Sequence, residues 1–279
     1  MDHSRRLLVV AWSLLLVGPA LAQEGPLPEG IKSVRLVETQ KVRSTIFEAR
    51  LVETSEQRHV IFTSLRVDPG RVNFRLALPT KANAASLIRF RHDEDALAAF
   101  TGGFLDTYSP ATPAGLVQRR DTIQNDLQAD PVMTAVVCFS ADPIKPVAIM
   151  ATQEFLPGET KGDCIQTGPF LAKNGQKETD FDALERSLGS PFARGHFERA
   201  ILMVNVLSQI VIGVSSPISL FPLRELLLKP AQKGGLGAIV AVGLSGTLTA
   251  GLVIEGKDKL ITVGAVKTLL PNAVIIRER

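Results

Sequence analysis

Few side chains in this sequence have the type and spacing to do chemistry. The stretch "FTGGFLDTYSPATPAGLV" (100–117) holds several of them. Gly102 and Gly103, paired at a strand end, let backbone approach closely and expose N–H groups. Asp106, just beyond, has the chemistry to orient a sugar hydroxyl or to act as an acid or base. Tyr108 is the sole tyrosine, so an aromatic platform for a sugar or base must use it or one of the phenylalanines. A bulge followed by a capped turn explains the same residues without function. "CIQTGPFLAKNGQ" (164–176) supplies a second glycine-bearing turn at Gly168, then a hairpin signal at Asn174-Gly175. In "RGHFERAILMVN" (194–205), His196 and Glu198 share a face at strand spacing and Arg199 lies opposite. The Arg199 guanidinium fork suits a phosphate or carboxylate, although for this residue alone an ordinary rim salt bridge is the simpler account.

"AVGLSGTLTAGLVIEG" (241–256) is the remaining stretch of interest, with Ser245, Gly246, Thr247 and Thr249 around its turn. A serine-nucleophile elbow requires glycine where Thr247 stands, because that turn is sharp. A phosphate-binding P-loop requires a lysine that is absent. The uncharged spans 200–223 and 234–254 are long enough to cross a bilayer, but their prolines, glycines and alternation read as buried strands. The expectation for 241–256 is therefore strand–turn–strand, with no membrane span in the mature chain.

Short alternating runs dominate the elements that must hold these residues: "SVRLVET", "IFEARLVET", "HVIFTSLRV" and "VNFRLAL", the last two separated by "DPG". Further strands are expected at 133–139, 146–151, 199–206, 209–214, 238–244, 247–254 and 259–263, with "NAVIIRE" closing the series. "RHDEDALAAF" (91–100) reads as a short helix with Asp93, Glu94 and Asp95 in its first turn. "ISLFPLRELLLK" (218–229) reads as another, with Pro222 near its start. Many strands, few helices and no regular βαβ alternation predict an α+β fold, a strand-rich single domain with a mixed β-sheet.

The 279 residues carry a formal net charge of +3 and no basic block, so nucleic acid is not an expected partner. Arg5 and Arg6, the apolar run Leu7 to Val17, and Ala20-Leu21-Ala22 read as a signal peptide over 1–22, which predicts an exported protein, periplasmic or secreted. Residues 23–57 are expected to form an N-terminal tether and strands, ahead of the main domain at 58–279. Cys138 and Cys164 either bridge, as an oxidising compartment permits, or remain buried thiols. With His59, His92 and His196 they match no metal-ligand spacing, and neither a metal nor a cofactor is expected.

Taken in order over 58–279, these motifs resemble the phosphodiester glycosidase family. "TGGFLD" and "AGLV" stand where that family has Asn-Gly-Gly-Phe-Phe-Asp and a G-L-V loop, "TGPFLAKNG" is similar to its G-P-x-L turn, and "LPNAVIIR" to its closing strand. "ERAILMV" and "GVSSPISLFPLRELL" match its arginine-opened strand and the helix after it. The resemblance implies hydrolysis or binding of a glycosyl phosphodiester. On that reading Asp106 is an acid/base or sugar-orienting carboxylate and Arg199 a phosphate holder. The backbone of Gly102, Gly103 and Gly168 and the turn from Ser245 to Thr249 shape the pocket, with Tyr108 and His196 beside it. The departure is the turn itself: against the family's Asn-Leu-Asp-Gly-Gly-Gly-Ser-Ser, Ser245 replaces the Asp, and Thr247 and Leu248 replace glycines. Glycoside cleavage usually employs two carboxyl groups, so Glu198, Glu225 and Glu255, in that order, are the candidates to replace the missing one. The alternative implication is a catalytically inactive descendant that binds an envelope glycan or a protein.

Overall fold

The computed structural model describes residues 30–80 and 84–279. The signal peptide expected at 1–22 and residues 23–29 of the expected tether lie outside those residues. With strands numbered along the chain, the largest sheet has eight. In spatial order they are β1 (Ile31–Val42), β2 (Thr45–Thr54), β3 (His59–Val67), β16 (Ile210–Ile218), β15 (Phe197–Asn205), β17 (Ala238–Ser245), β13 (Phe170–Lys173) and β14 (Gln176–Lys177). A second sheet orders β11 (Val147–Ala151), β10 (Ala135–Phe139), β12 (Asp163–Thr167), β8 (Val117–Arg119) and β9 (Thr122–Asn125). A third orders β19 (Leu260–Gly264), β18 (Gly251–Glu255), β5 (Ala98–Thr101), β20 (Ala273–Glu278) and β4 (Val72–Ala77). The hairpin β6 (Leu105–Tyr108) and β7 (Ala111–Pro113) stands apart. Every strand pair among the described residues is antiparallel, where the sequence reading anticipated a mixed sheet. Parallel neighbours need long crossovers, and here short turns join most successive strands.

Alternation along the strands sets the layers. On β15, Ala200 and Leu202 join a central core with Ile212 and Val214 of β16 and with Phe74, Phe100, Leu252 and Val274 of the third sheet. The second sheet adds Val137, Phe139 and Ile165 to the same core. The odd residues Ile201 and Met203 face the other way, where α3 (Leu220–Leu228) covers the large sheet. Phe181 of α2 (Phe181–Leu188) packs into that second layer. The third sheet is covered outside by α1 (Leu87–Asp93), through Leu87 and Phe90. The architecture is thus a two-layer β-sandwich with helices on its outer faces.

The uncharged spans resolve as strands: 200–223 is β15, β16 and the start of α3, and 234–254 runs through β17 into β18. No helix among the described residues is long and apolar enough to cross a membrane. Two local readings differ from the structure. The helix expected at 91–100 starts earlier, because Ser86 Oγ accepts from Arg89 N and caps it. The acids therefore sit at its C-terminal end, where Asp93 pairs with Arg89 at 2.7 Å. Helix α2 has a sequence signature that was overlooked: Asp180 accepts from the Asp182 and Ala183 amides at its start, and Gly189 is left-handed at its end.

Cys138 and Cys164 face each other across β10 and β12 and form a disulfide, with Cα atoms 4.1 Å apart. It lies on the outer face of the second sheet beside Leu116 and Phe155.

Candidate functional site

The three sheets meet where β5, β12 and β17 end. Thr101, fully buried, closes β5, and its hydroxyl donates to Thr249 O and accepts from Gly251 N at 2.9 Å. That one side chain ties the third sheet to the turn leaving β17. The turn is closed on Gly246 O, which accepts from Thr249 N at 3.1 Å, Ala250 N at 3.0 Å and Thr249 Oγ1 at 2.9 Å.

Gly102 follows Thr101 and has no room for a side chain, since a Cβ there would lie 1.7 Å from Asn272 Oδ1. The same oxygen accepts from Gly103 N at 3.3 Å, and Asn272 Nδ2 is buried with no partner. From β12, Gln166 satisfies its whole amide on backbone. Its Oε1 accepts from Leu116 and Gln128 N–H groups at 3.1 and 2.9 Å, and its Nε2 donates to Gln128 and Met133 carbonyls. Thr167 Oγ1 donates to Gly243 O at 2.6 Å, and Gly168 N donates to the same carbonyl at 3.0 Å. Gly168 has φ +157, and a Cβ on it would meet Val132 O at 2.0 Å, so backbone crowding fixes glycine there. These contacts lock the second sheet to β17.

Ser245, at the end of β17, pairs with Ala200 of β15. It is 3% exposed, and its hydroxyl has no partner. One residue before Ala200 is Arg199, 5% exposed. Its Nη2 donates to Phe192 O at 2.8 Å and Gly195 O at 3.2 Å, and its guanidinium carbon lies 5.2 and 5.0 Å from the rings of Phe192 and Phe197. Its Nε is buried without a partner. Burial pulls its pKa down to about 10, so the group stays cationic at neutral pH. No carboxylate pairs with it among the described residues, and a buried cation in that condition is costly to the fold.

The structure brings Gly102, Gly103, Gly168, Ser245, Gly246 and Thr249 to this junction, but Arg199 shares the opposite face of β15 with Ile201, toward Phe192. Glu198 is half-buried, and its carbonyl lies 3.7 Å from where a Gly246 Cβ would be. Asp106 and Tyr108 stand exposed on the β6–β7 hairpin that leaves Gly103, and neither side chain has a partner among the described residues. Thr247 is exposed at the tip of the turn. His196 does not turn to Glu198; its Nε2 meets Glu56 Oε2 at 2.8 Å, in the β2–β3 turn. Leu248 is 61% exposed with φ +72, so it points away from the interior and takes a backbone shape that glycine adopts without strain.

Of the other carboxylates considered, Glu255 closes β18 far from Gly251 and is held by Arg43 at 2.7 Å and Arg91 at 2.9 Å. Glu225 is buried on α3, under the helix-covered face of the large sheet. Asn272, Gln166 and Thr167 organise the junction and were not singled out from sequence. Two adjacent polar residues, Gln166 and Thr167, inside a strand buried on both faces are the signal for those two. No group of three His, Cys, Asp or Glu side chains among the described residues could hold a metal ion.

No family model matches the sequence, and no curated protein matches it. Solved structures do match in fold. A hypothetical protein from Synechocystis superposes with a TM-score of 0.61 at 12% identity, over 90% of this chain and 69% of that one. The catalytic domain of zebrafish N-acetylglucosamine-1-phosphodiester alpha-N-acetylglucosaminidase, auto-inhibited by its pro-peptide, gives 0.61 at 13% identity over 89% of each chain. A Burkholderia pseudomallei protein that bears the name "Putative exported protein" gives 0.56 at 12%, over 79% of this chain and 74% of that one. At these identities the likeness is one of fold: the chain is similar in architecture to the zebrafish glycosidase domain across most of its length.

Proposed function

We propose that this is an exported protein of the phosphodiester glycosidase type whose ligand, a glycosyl phosphodiester, sits at the junction of Gly102, Ser245 and Asn272. The observation that carries this reading is a pair of buried donors left without partners at the junction, the Ser245 hydroxyl and Asn272 Nδ2. A phosphodiester has the acceptor oxygens that both donors need, whereas Arg199, the phosphate holder expected from the sequence, is turned to Phe192 and Gly195. The Gly102–Gly103 backbone, Gly168 and the 245–249 turn form the pocket wall, and His196, Thr247 and Tyr108 belong to its rim. Asp106 is the acid/base and Glu198 the second carboxylate that glycoside hydrolysis requires. The fold shared with the zebrafish glycosidase domain supports this assignment, and the leader-like sequence supports export.

A second reading is favoured by one observation: Ser245 stands where the resembling family has Asp, and a hydroxyl has no comparable acidity at neutral pH. On that reading the protein is a non-catalytic descendant that binds an envelope glycan. Hydrolysis of an N-acetylglucosamine phosphodiester, measured beside Asp106→Asn, separates the two. The expected result is turnover that falls at least 100-fold in the variant. Saturable binding without turnover, from a folded sample, would replace the hydrolase with the binder.

A further inference from the structure

We propose that a cavity at the opposite end of the second and third sheets is a binding site for a small phosphomonoester bearing a ring. Direction along the strands separates the two places. At the candidate site, β20 begins with Ala273 paired to Thr101; at the other end, Arg277 pairs with Asn73. Likewise β12 starts at Asp163, in the cavity, and ends at Thr167 and Gly168, in the junction. Five strand residues span roughly 17 Å. The inference does not depend on the glycosyl phosphodiester reading.

The cavity measures about 520 Å³ and is lined by Arg75, Arg120, Lys161 and Arg277, with Asp163 as the single carboxylate in its wall. Asp163 does not neutralise these cations by direct pairing. Its Oδ2 accepts from Leu76 N at 2.8 Å and its Oδ1 from Arg120 N at 3.0 Å, so both oxygens are engaged with backbone. Glu94 pairs with two of these cations, 2.9 Å from Arg277 Nη2 and 4.0 Å from Arg75 Nη1. Arg277 Nε stays buried with no partner, and the side chains of Arg120 and Lys161 have none among the described residues.

Arg120 is held at the cavity by an unusual turn. Arg120 and Asp121 join β8 to β9 with φ values of +48° and +68°, the two-residue hairpin geometry for which Asn-Gly is preferred. Asp121 Oδ1 accepts from Gly162 N at 3.0 Å, and Asp163 fixes the Arg120 amide, so neighbouring groups hold the strained residues in place. Phe74 and Phe139, stacked with centroids 6.0 Å apart, also line the cavity. Four cations set against the two carboxylates Asp163 and Glu94 leave a surplus of two positive charges, which a doubly charged phosphomonoester with its acceptor oxygens matches. Phe74 and Phe139, 3% and 2% exposed, give the cavity a small apolar floor, and a volume well beyond one phosphate leaves room for a ring attached to it.

Phenyl phosphate is the probe, titrated into the isotope-labelled protein and followed by amide chemical shifts. The expected result is saturable movement of the Arg120, Gly162 and Asp163 amides while those of Gly102 and Gly246 stay still. Phenol, with the ring and no charge, should bind at least tenfold more weakly, and so should inorganic phosphate, with the charge and no ring. The double variant Arg120→Ala, Lys161→Ala should lose at least tenfold in affinity for phenyl phosphate, whereas Arg120→Lys, Lys161→Arg keeps it. Shifts centred on Gly102 and Gly246, no saturation, or equal affinity in the alanine double variant would each overturn the site.

Discussion

Leu248 is the residue at which this chain departs most visibly from the glycine-rich turn it resembles. A left-handed backbone costs a residue with a Cβ roughly 1–2 kcal/mol, and with 61% of Leu248 exposed, packing returns little of that. Glycine relieves the strain but adds freedom to the unfolded chain, an opposing contribution of about 0.4–1 kcal/mol. The net expectation for Leu248→Gly is a melting temperature raised by about 1–3 °C. A fall in thermal denaturation would mean that Leu248 makes a stabilising contact which its exposure does not suggest. Arg199 presents the related case of a cost retained at a fixed place. A buried guanidinium without an anion weakens the fold, and such groups gather at binding sites.

At the scale of elements, the junction depends on few bonds of long sequence separation. Thr101 Oγ1 accepts from Gly251 N and donates to Thr249 O, joining the end of β5 to the entry of β18. Thr101→Val keeps the shape and strands both backbone groups in a buried place, which costs about 1–3 kcal/mol. Urea denaturation should show that loss, and hydrogen exchange at Gly251 should accelerate most. A change below 0.5 kcal/mol would show that the turn 246–250 is held by its own bonds to Gly246 O. Strand positions were legible in the sequence because burial on one or both faces leaves a period of two: "HVIFTSLRV" is β3 residue for residue. Helix α1 was displaced because an acidic cluster is compatible with a helix N-terminus, yet Ser86 supplies the cap several residues earlier. The roles of Asn272 and Gln166 were not legible, because a buried amide is defined by partners far along the chain.

For the whole molecule, the large sheet runs unbroken from β1 to β14 and carries the N-terminal hairpin in the same ladder as the site strands. Nine residue pairs join β2 to β3, and β3 in turn pairs with β16 beside β15. With the central core shared by all three sheets, the described residues should unfold in one cooperative transition. Calorimetry should give equal calorimetric and van't Hoff enthalpies, and the amides of β2 should exchange with the same global free energy as those of β15. Early exchange of β2 with a separate transition would mark residues 30–57 as an independent unit.

Alone, the sequence determined the strand-rich class, most strand positions, the fate of both uncharged spans and the order of glycine turns. Those follow from local periodicity and backbone sterics, which a one-dimensional pattern contains. Only the tertiary structure decided that Cys138 faces Cys164, that Arg199 is buried between two rings, and that Glu255 and Glu225 are occupied away from the junction. Each of these depends on which distant strands become neighbours. That choice is made by burying one continuous core among three sheets, and no segment encodes it by itself.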